Sequence, residues 1–164
     1  MPYFLNSITP INQFTKTTKK KYFVDKSNLI SKINEAVGTD SQYICITRPR
    51  RFGKTVNAMM LACYYSKNAK FKDLFDKLNI SNDSSYLEHL NKHNVIFITW
   101  CNPITEFKTF QQYLNSFVSQ IILDLKESFP NAIINETDSL GKIFDDIYIQ
   151  TNESFIFILD EWDY

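Results

Sequence analysis

The stretch Arg48-Pro49-Arg50-Arg51-Phe52-Gly53-Lys54-Thr55 decides the reading of this chain. It follows a strand-like run, Tyr43-Ile44-Cys45-Ile46-Thr47, and opens a helix-like run from Val56 onward. A strand, a loop ending in Gly-Lys-Thr and then a helix is the arrangement that builds a phosphate-binding loop. A helix N-terminus presents unpaired N–H groups and about half a positive charge to an anion. Gly53 lets the backbone curl around that anion, Lys54 reaches its outer oxygens, and the Thr55 hydroxyl is placed to hold Mg²⁺. Arg51, Phe52 and Val56 complete the stretch expected to contact a nucleotide, whereas Arg50 reads as a solvated loop charge.

A second signal lies far along the chain. Phe155-Ile156-Phe157-Ile158-Leu159 reads as a buried strand that ends in Asp160-Glu161, the Walker B pattern. An acidic residue at the C-terminal end of a buried parallel strand points into the crevice where ligands of open α/β sheets sit. Asp160 is the expected Mg²⁺ ligand and Glu161 the expected catalytic residue, orienting or deprotonating the attacking water. Asp163 stands where it can support them from behind, and Trp162 and Tyr164 read as packing groups.

Between the two signals, helices are expected over about 26–37, 54–66, 105–128 and 138–150, with short helical pieces over 67–93. Residues 1–24 read as extended or irregular. Val95-Ile96-Phe97-Ile98-Thr99-Trp100 is a continuous apolar run, as in a strand covered on both faces. Strands alternating with helices indicate an α/β fold with a parallel sheet, one domain over 1–164.

Composition narrows the function classes. Of 164 residues 44% are hydrophobic and 22% charged, which is a globular rather than a disordered balance. Eighteen basic residues match eighteen acidic ones, so net charge gives no support to a broad nucleic-acid or membrane surface. Cys45, Cys63 and Cys101 sit in apolar runs and read as reduced core thiols of a cytoplasmic protein. No signal peptide and no membrane-spanning run is visible. His89 and His93 are four apart and read as a surface pair sharing a helix face rather than as a metal site.

Three segments together carry a resemblance. Tyr22-Phe23-Val24-Asp25-Lys26, then Arg48 to Thr55, then Ile158-Leu159-Asp160-Glu161-Trp162-Asp163 closely resemble the predicted AAA-ATPase-like family. Leu74-Phe75-Asp76-Lys77-Leu78-Asn79-Ile80 resembles that family's stretch after the loop helix. The family also lacks the first glycine of the usual loop, which accounts for Arg48. Ser27 for Thr and Trp162 for Tyr are small departures.

The resemblance implies ATP binding and Mg²⁺-dependent hydrolysis on a P-loop NTPase-type three-layer α/β/α fold with a mostly parallel sheet. In ATPases of this class a later strand lies between the loop strand and the Walker B strand. That strand, its sensor residue, the lid and any arginine finger are expected after Tyr164. The chain is thus expected to be C-terminally truncated after the Walker B strand, without competent turnover. Longer relatives often carry a PD-(D/E)XK nuclease-like domain, so a nucleic-acid partner rests on family analogy alone. Two other readings stay open: a non-catalytic module that self-associates with nucleotide, and a kinase or GTPase, for which no Asn-Lys-x-Asp motif is visible.

Overall fold

The computed structural model describes residues 2–47, 49, 51–100 and 107–161. Its centre is a parallel pair of strands, β1 (Asn94–Thr99) and β2 (Phe155–Asp160), in a register that sets Val95 beside Ile156 and Thr99 beside Asp160. Side chains alternate across a strand, and the core divides accordingly. Val95, Phe97 and Ile158 join one apolar cluster with Met60, Tyr64 and Phe75. Ile96 and Ile98 join another with Ile121, Leu125, Ile143 and Ile147. The chain is therefore mixed α/β, with helices packed on both faces of β1.

The N-terminal residues do not stay irregular. Helix α1 (Ile8–Thr18) starts where the Ser7 hydroxyl accepts the Thr9 N–H at 3.4 Å. Pro10 sits in the first turn, where a missing N–H costs nothing. Ile11 and Phe14 are buried, and the Phe14 ring stacks on Phe75 at 5.9 Å. The run of threonines and lysines hides this short apolar face, which is why the sequence suggests no helix there.

Residues ahead of α1 form a strap along β1. Leu5 bridges Ile96 in antiparallel sense, the Asn6 N–H donates to the Val95 carbonyl at 2.6 Å, and the Phe97 N–H donates to the Phe4 carbonyl at 3.1 Å. The outer edge of β1 is thereby closed.

Helix α2 (Asn28–Asn34) lies within the expected span, and Gly38, at φ +74°, stops the turns that follow it. Helix α3 (Lys54–Tyr65) matches its expected span, with Met60, Cys63 and Tyr64 buried and Val56 and Met59 packed against the same cluster. Short pieces follow as expected: α4 (Lys72–Phe75), a 3₁₀ turn (Asn79–Asn82) and α5 (Tyr86–His89). Helix α6 (Phe110–Ser128) and helix α7 (Leu140–Thr151) lie between the two strands in sequence. Ser139 caps α7 by accepting the Lys142 N–H. No helix among the described residues is long and apolar enough to cross a membrane.

Three expectations need correction. Residues 43–47 form no strand; they are irregular and exposed, with Tyr43 91% accessible. A strand is held by a ladder partner. The strap already fills the edge of β1, and among the described residues nothing pairs with the outer edge of β2. β2 is consequently not fully buried: Ile158 and Asp160 are, but Phe157 and Leu159 are about half exposed. Helix α6 begins at Phe110 rather than near 105, because Thr109 caps it by accepting the Gln112 N–H at 3.2 Å. Phe107 lies outside that helix, with its ring 5.6 Å from that of Tyr113.

Candidate functional site

The loop before α3 is bent by two residues in the left-handed region, Arg51 at φ +68° and Gly53 at φ +81°. Gly53 is the N-cap of α3, and its carbonyl accepts the Asn57 N–H at 3.0 Å. Only glycine adopts this conformation without Cβ strain. Among the described residues no side chain caps α3, and no acid lies in its first turn, so the positive end of the helix is left to whatever anion approaches. Lys54, Thr55 and Val56 make up that first turn and are half-buried, whereas Arg51 and Phe52 are exposed.

Val56 packs in the same apolar cluster as Ile156 and Ile158, so α3 lies on the face of β2 that carries these residues. By strand alternation the side chain of Asp160 belongs to that face too. Asp160 is only 6% exposed, and among the described residues its buried Oδ2 has no hydrogen-bond partner. An orphaned buried carboxylate oxygen is rare, because a buried unsatisfied polar group costs about 1–3 kcal/mol, and a charged one more. A carboxylate oxygen and a threonine hydroxyl are donor types that a hard cation such as Mg²⁺ takes, although among the described residues no group of three or more His, Cys, Asp or Glu could hold a metal ion. Glu161, directly after β2, is held at φ +56°, a strained conformation for a residue with a side chain. Strain of this kind persists where the surrounding structure over-determines the backbone.

Sequence reasoning passed over how Lys26 bears on this loop. Its ammonium donates to the Phe52 carbonyl at 2.9 Å and stands 3.5 Å from the position a Cβ on Gly53 would take. The neighbours of Lys26 fix its place. The Asp25 carboxylate accepts the N–H of Ser27 at 2.8 Å and of Asn79 at 2.6 Å, and the buried Ser27 hydroxyl accepts the Ile80 N–H at 3.0 Å. An Asx turn at Asp25 was the available signal, since aspartate bonding the N–H two residues on is a common turn device.

Other candidate residues fall differently from expectation. Cys63 is a core thiol whose burial pushes it up to about 12, but Cys45 is exposed because its segment never enters the sheet. His89 and His93 do not share a helix face, because α5 ends at His89. Their rings meet at 3.0 Å between Nδ1 and Nε2, half-buried against Tyr65. Burial, followed by the charges of His89 and Lys92, holds His93 below the ordinary imidazole range. Arg48, Arg50, Cys101, Trp162, Asp163 and Tyr164 lie outside the described residues.

Residues 9–164 match the family model described as predicted AAA-ATPase, and the chain belongs to that family. No curated protein and no solved structure matches it. Membership carries a nucleotide-binding, ATPase-like role at the level of the family.

Proposed function

We propose that this chain binds Mg·ATP through residues 51–56, with Thr55 and Asp160 holding the metal. The observation that carries this reading is a pairing on one face of the sheet. The uncapped first turn of α3, opened by left-handed Gly53, shares that face with the partnerless Oδ2 of Asp160. The backbone N–H groups of the first turn cradle phosphate oxygens, and the Lys54 ammonium draws the outer phosphates onto the helix end. Mg²⁺, when bound, neutralises charge that builds on those oxygens. In this reading Glu161 orients the water that attacks the terminal phosphate.

The fold this reading favours is the three-layer P-loop type, its sheet widened by a further strand between β2 and residues 43–47. The bare edge of β2 and the exposure of Phe157, Leu159 and Tyr43 support it. Phosphoryl transfer depends on positioning and charge stabilisation, and a loop whose leading segment is outside the sheet is poorly positioned. The 164-residue chain is therefore expected to bind nucleotide and to turn it over at or near background.

Calorimetric titration of Mg·ATP into the wild-type chain and Lys54→Ala, beside a steady-state phosphate-release assay, tests both parts. Binding that weakens at least about tenfold in Lys54→Ala supports the site. A folded wild type that takes no nucleotide refutes it, and phosphate release abolished by Lys54→Ala refutes the slow-turnover part. The bare β2 edge also favours a second reading, a non-catalytic module that associates with itself when nucleotide binds. Sedimentation with and without Mg·ATP distinguishes it.

A further inference from the structure

We propose that Lys26 is a second lysine of the phosphate site, adding its charge to that of Lys54 and using the Phe52 carbonyl as its resting partner. This rests on the nucleotide-binding reading above and extends it to a residue 28 positions before Lys54 in sequence.

The geometry is specific. Asp25 and Ser27, on either side of Lys26, are each tied to backbone N–H groups of the 3₁₀ turn at Asn79 and Ile80. Ser27 is fully buried. The backbone of Lys26 is thus pinned between two anchors, and a lysine stem that would otherwise wander starts from a fixed point. Its ammonium ends on the carbonyl immediately before Gly53, at the bend that opens α3. An ammonium carries three donors, and the Phe52 carbonyl occupies one. The other donors are available to oxygens of an anion seated on the helix end. Donating to the Phe52 carbonyl also offsets the negative end of that dipole, so the same contact shapes the loop and adds charge to it.

A second, independent feature points to a ligand at this place. Asp160, nine-tenths buried and with no partner for Oδ2 among the described residues, lies on the face where α3 begins. The proposed site then combines two ammonium groups and a helix N-terminus with a carboxylate on the same face of the sheet, a composition suited to a polyphosphate carrying a divalent cation rather than to a single carboxylate or sulfate.

A role in shaping the loop and a role in supplying charge make different predictions. Removing a charge weakens a ligand more as the ligand carries more charge, whereas loosening the loop weakens every nucleotide alike. The experiment measures Mg·ADP and Mg·ATP binding to wild type, Lys26→Met, Lys26→Arg and Lys54→Ala by calorimetry, with folding of each checked by circular dichroism. The expected result is that Lys26→Met loses about tenfold for ATP, or about 1.4 kcal/mol, and clearly less for ADP, while Lys26→Arg stays close to wild type. Equal losses for both nucleotides in Lys26→Met, or no loss, overturn the proposal while the nucleotide site stands. A wild-type chain that binds neither nucleotide removes the underlying reading and this proposal together, and Lys54→Ala shows which case holds. Should Lys26→Met not fold, Lys26→Arg together with Lys26→Gln carries the same comparison.

Discussion

The carboxylate of Asp124 accepts the backbone N–H of Leu5 at 3.1 Å, joining α6 to a residue 119 positions earlier. The same carboxylate accepts the N–H groups of Phe4 at 2.6 Å and Tyr3 at 3.0 Å, and Gln120 donates to it from one turn away. It is 2% exposed. Asp124→Ala leaves these donors without an acceptor, and each buried unsatisfied group costs about 1–3 kcal/mol. We expect a loss of about 3 kcal/mol in urea unfolding, together with faster amide exchange at Phe97, whose N–H is held by the strap.

A buried polar network fixes α2 against α3. The Tyr65 hydroxyl donates to Asn34 Oδ1 at 2.7 Å, and Asn34 Nδ2 donates to the Tyr64 oxygen at 3.1 Å and to the Ser85 hydroxyl at 2.9 Å. Burial pushes the Tyr65 hydroxyl far above its ordinary range, so it remains a donor at any working pH. Tyr65→Phe orphans the Asn34 oxygen and is expected to cost about 1–2 kcal/mol, whereas Asn34→Ala, which strands several groups, costs more. Paired urea titrations rank the two.

Gly53→Ala separates backbone strain from charge. At φ +81° an added Cβ costs about 1–2 kcal/mol, and it also meets the Lys26 ammonium at 3.5 Å. The substitution is expected to lower the thermal midpoint by a few degrees and to reduce Mg·ATP affinity at least about tenfold, measured by calorimetry.

The histidine pair gives stability a pH dependence. His93 titrates below its ordinary value of 6.5 in the folded chain, so between the two values the unfolded chain binds more protons than the native one. Stability from this source is complete above the unfolded value, falls as pH drops below it, and levels off under the folded value. Urea midpoints at pH 7.5, 6.5 and 5.5 are expected to fall for wild type and to flatten for His93→Gln. Asp76 and Asp83, held low mainly by Lys72 and Ser85 respectively, contribute only in a more acidic range.

Thiol labelling checks where residues 43–47 lie. In a Cys101→Ser background Cys45 is expected to react within the mixing time, while Cys63 reacts only on unfolding. A protected Cys45 would show that its segment enters the sheet after all.

Much of this architecture was legible because periodicity and punctuation agree. Met60, Cys63 and Tyr64 recur at helical spacing, Gly38 stops the turns after one helix run, and the apolar run after Asn94 reads as a buried strand, whereas the start of α6 at Thr109 was missed by a few residues. What escaped depends on partners distant in sequence. Tyr43 and Ile44 have a strand's composition, but a ladder partner is a property of the sheet and cannot be read locally. The strap of residues 4–6 and its clasp at Asp124 are likewise long-range, as is the reach of Lys26 to Phe52. The loop and the acidic pair were visible as motifs; the orphaned oxygen of Asp160 was visible only once burial was known.

The strap has a consequence for how this sheet can grow. Among the described residues, 4–6 seal β1 and nothing pairs with the outer edge of β2, so a further strand, whichever molecule supplies it, would join at β2. β2 is also the strand that ends in Asp160 and Glu161. Under the proposed reading, a strand that joins there would arrive beside the acidic end of the site, so that recruitment and completion of that end would be one event.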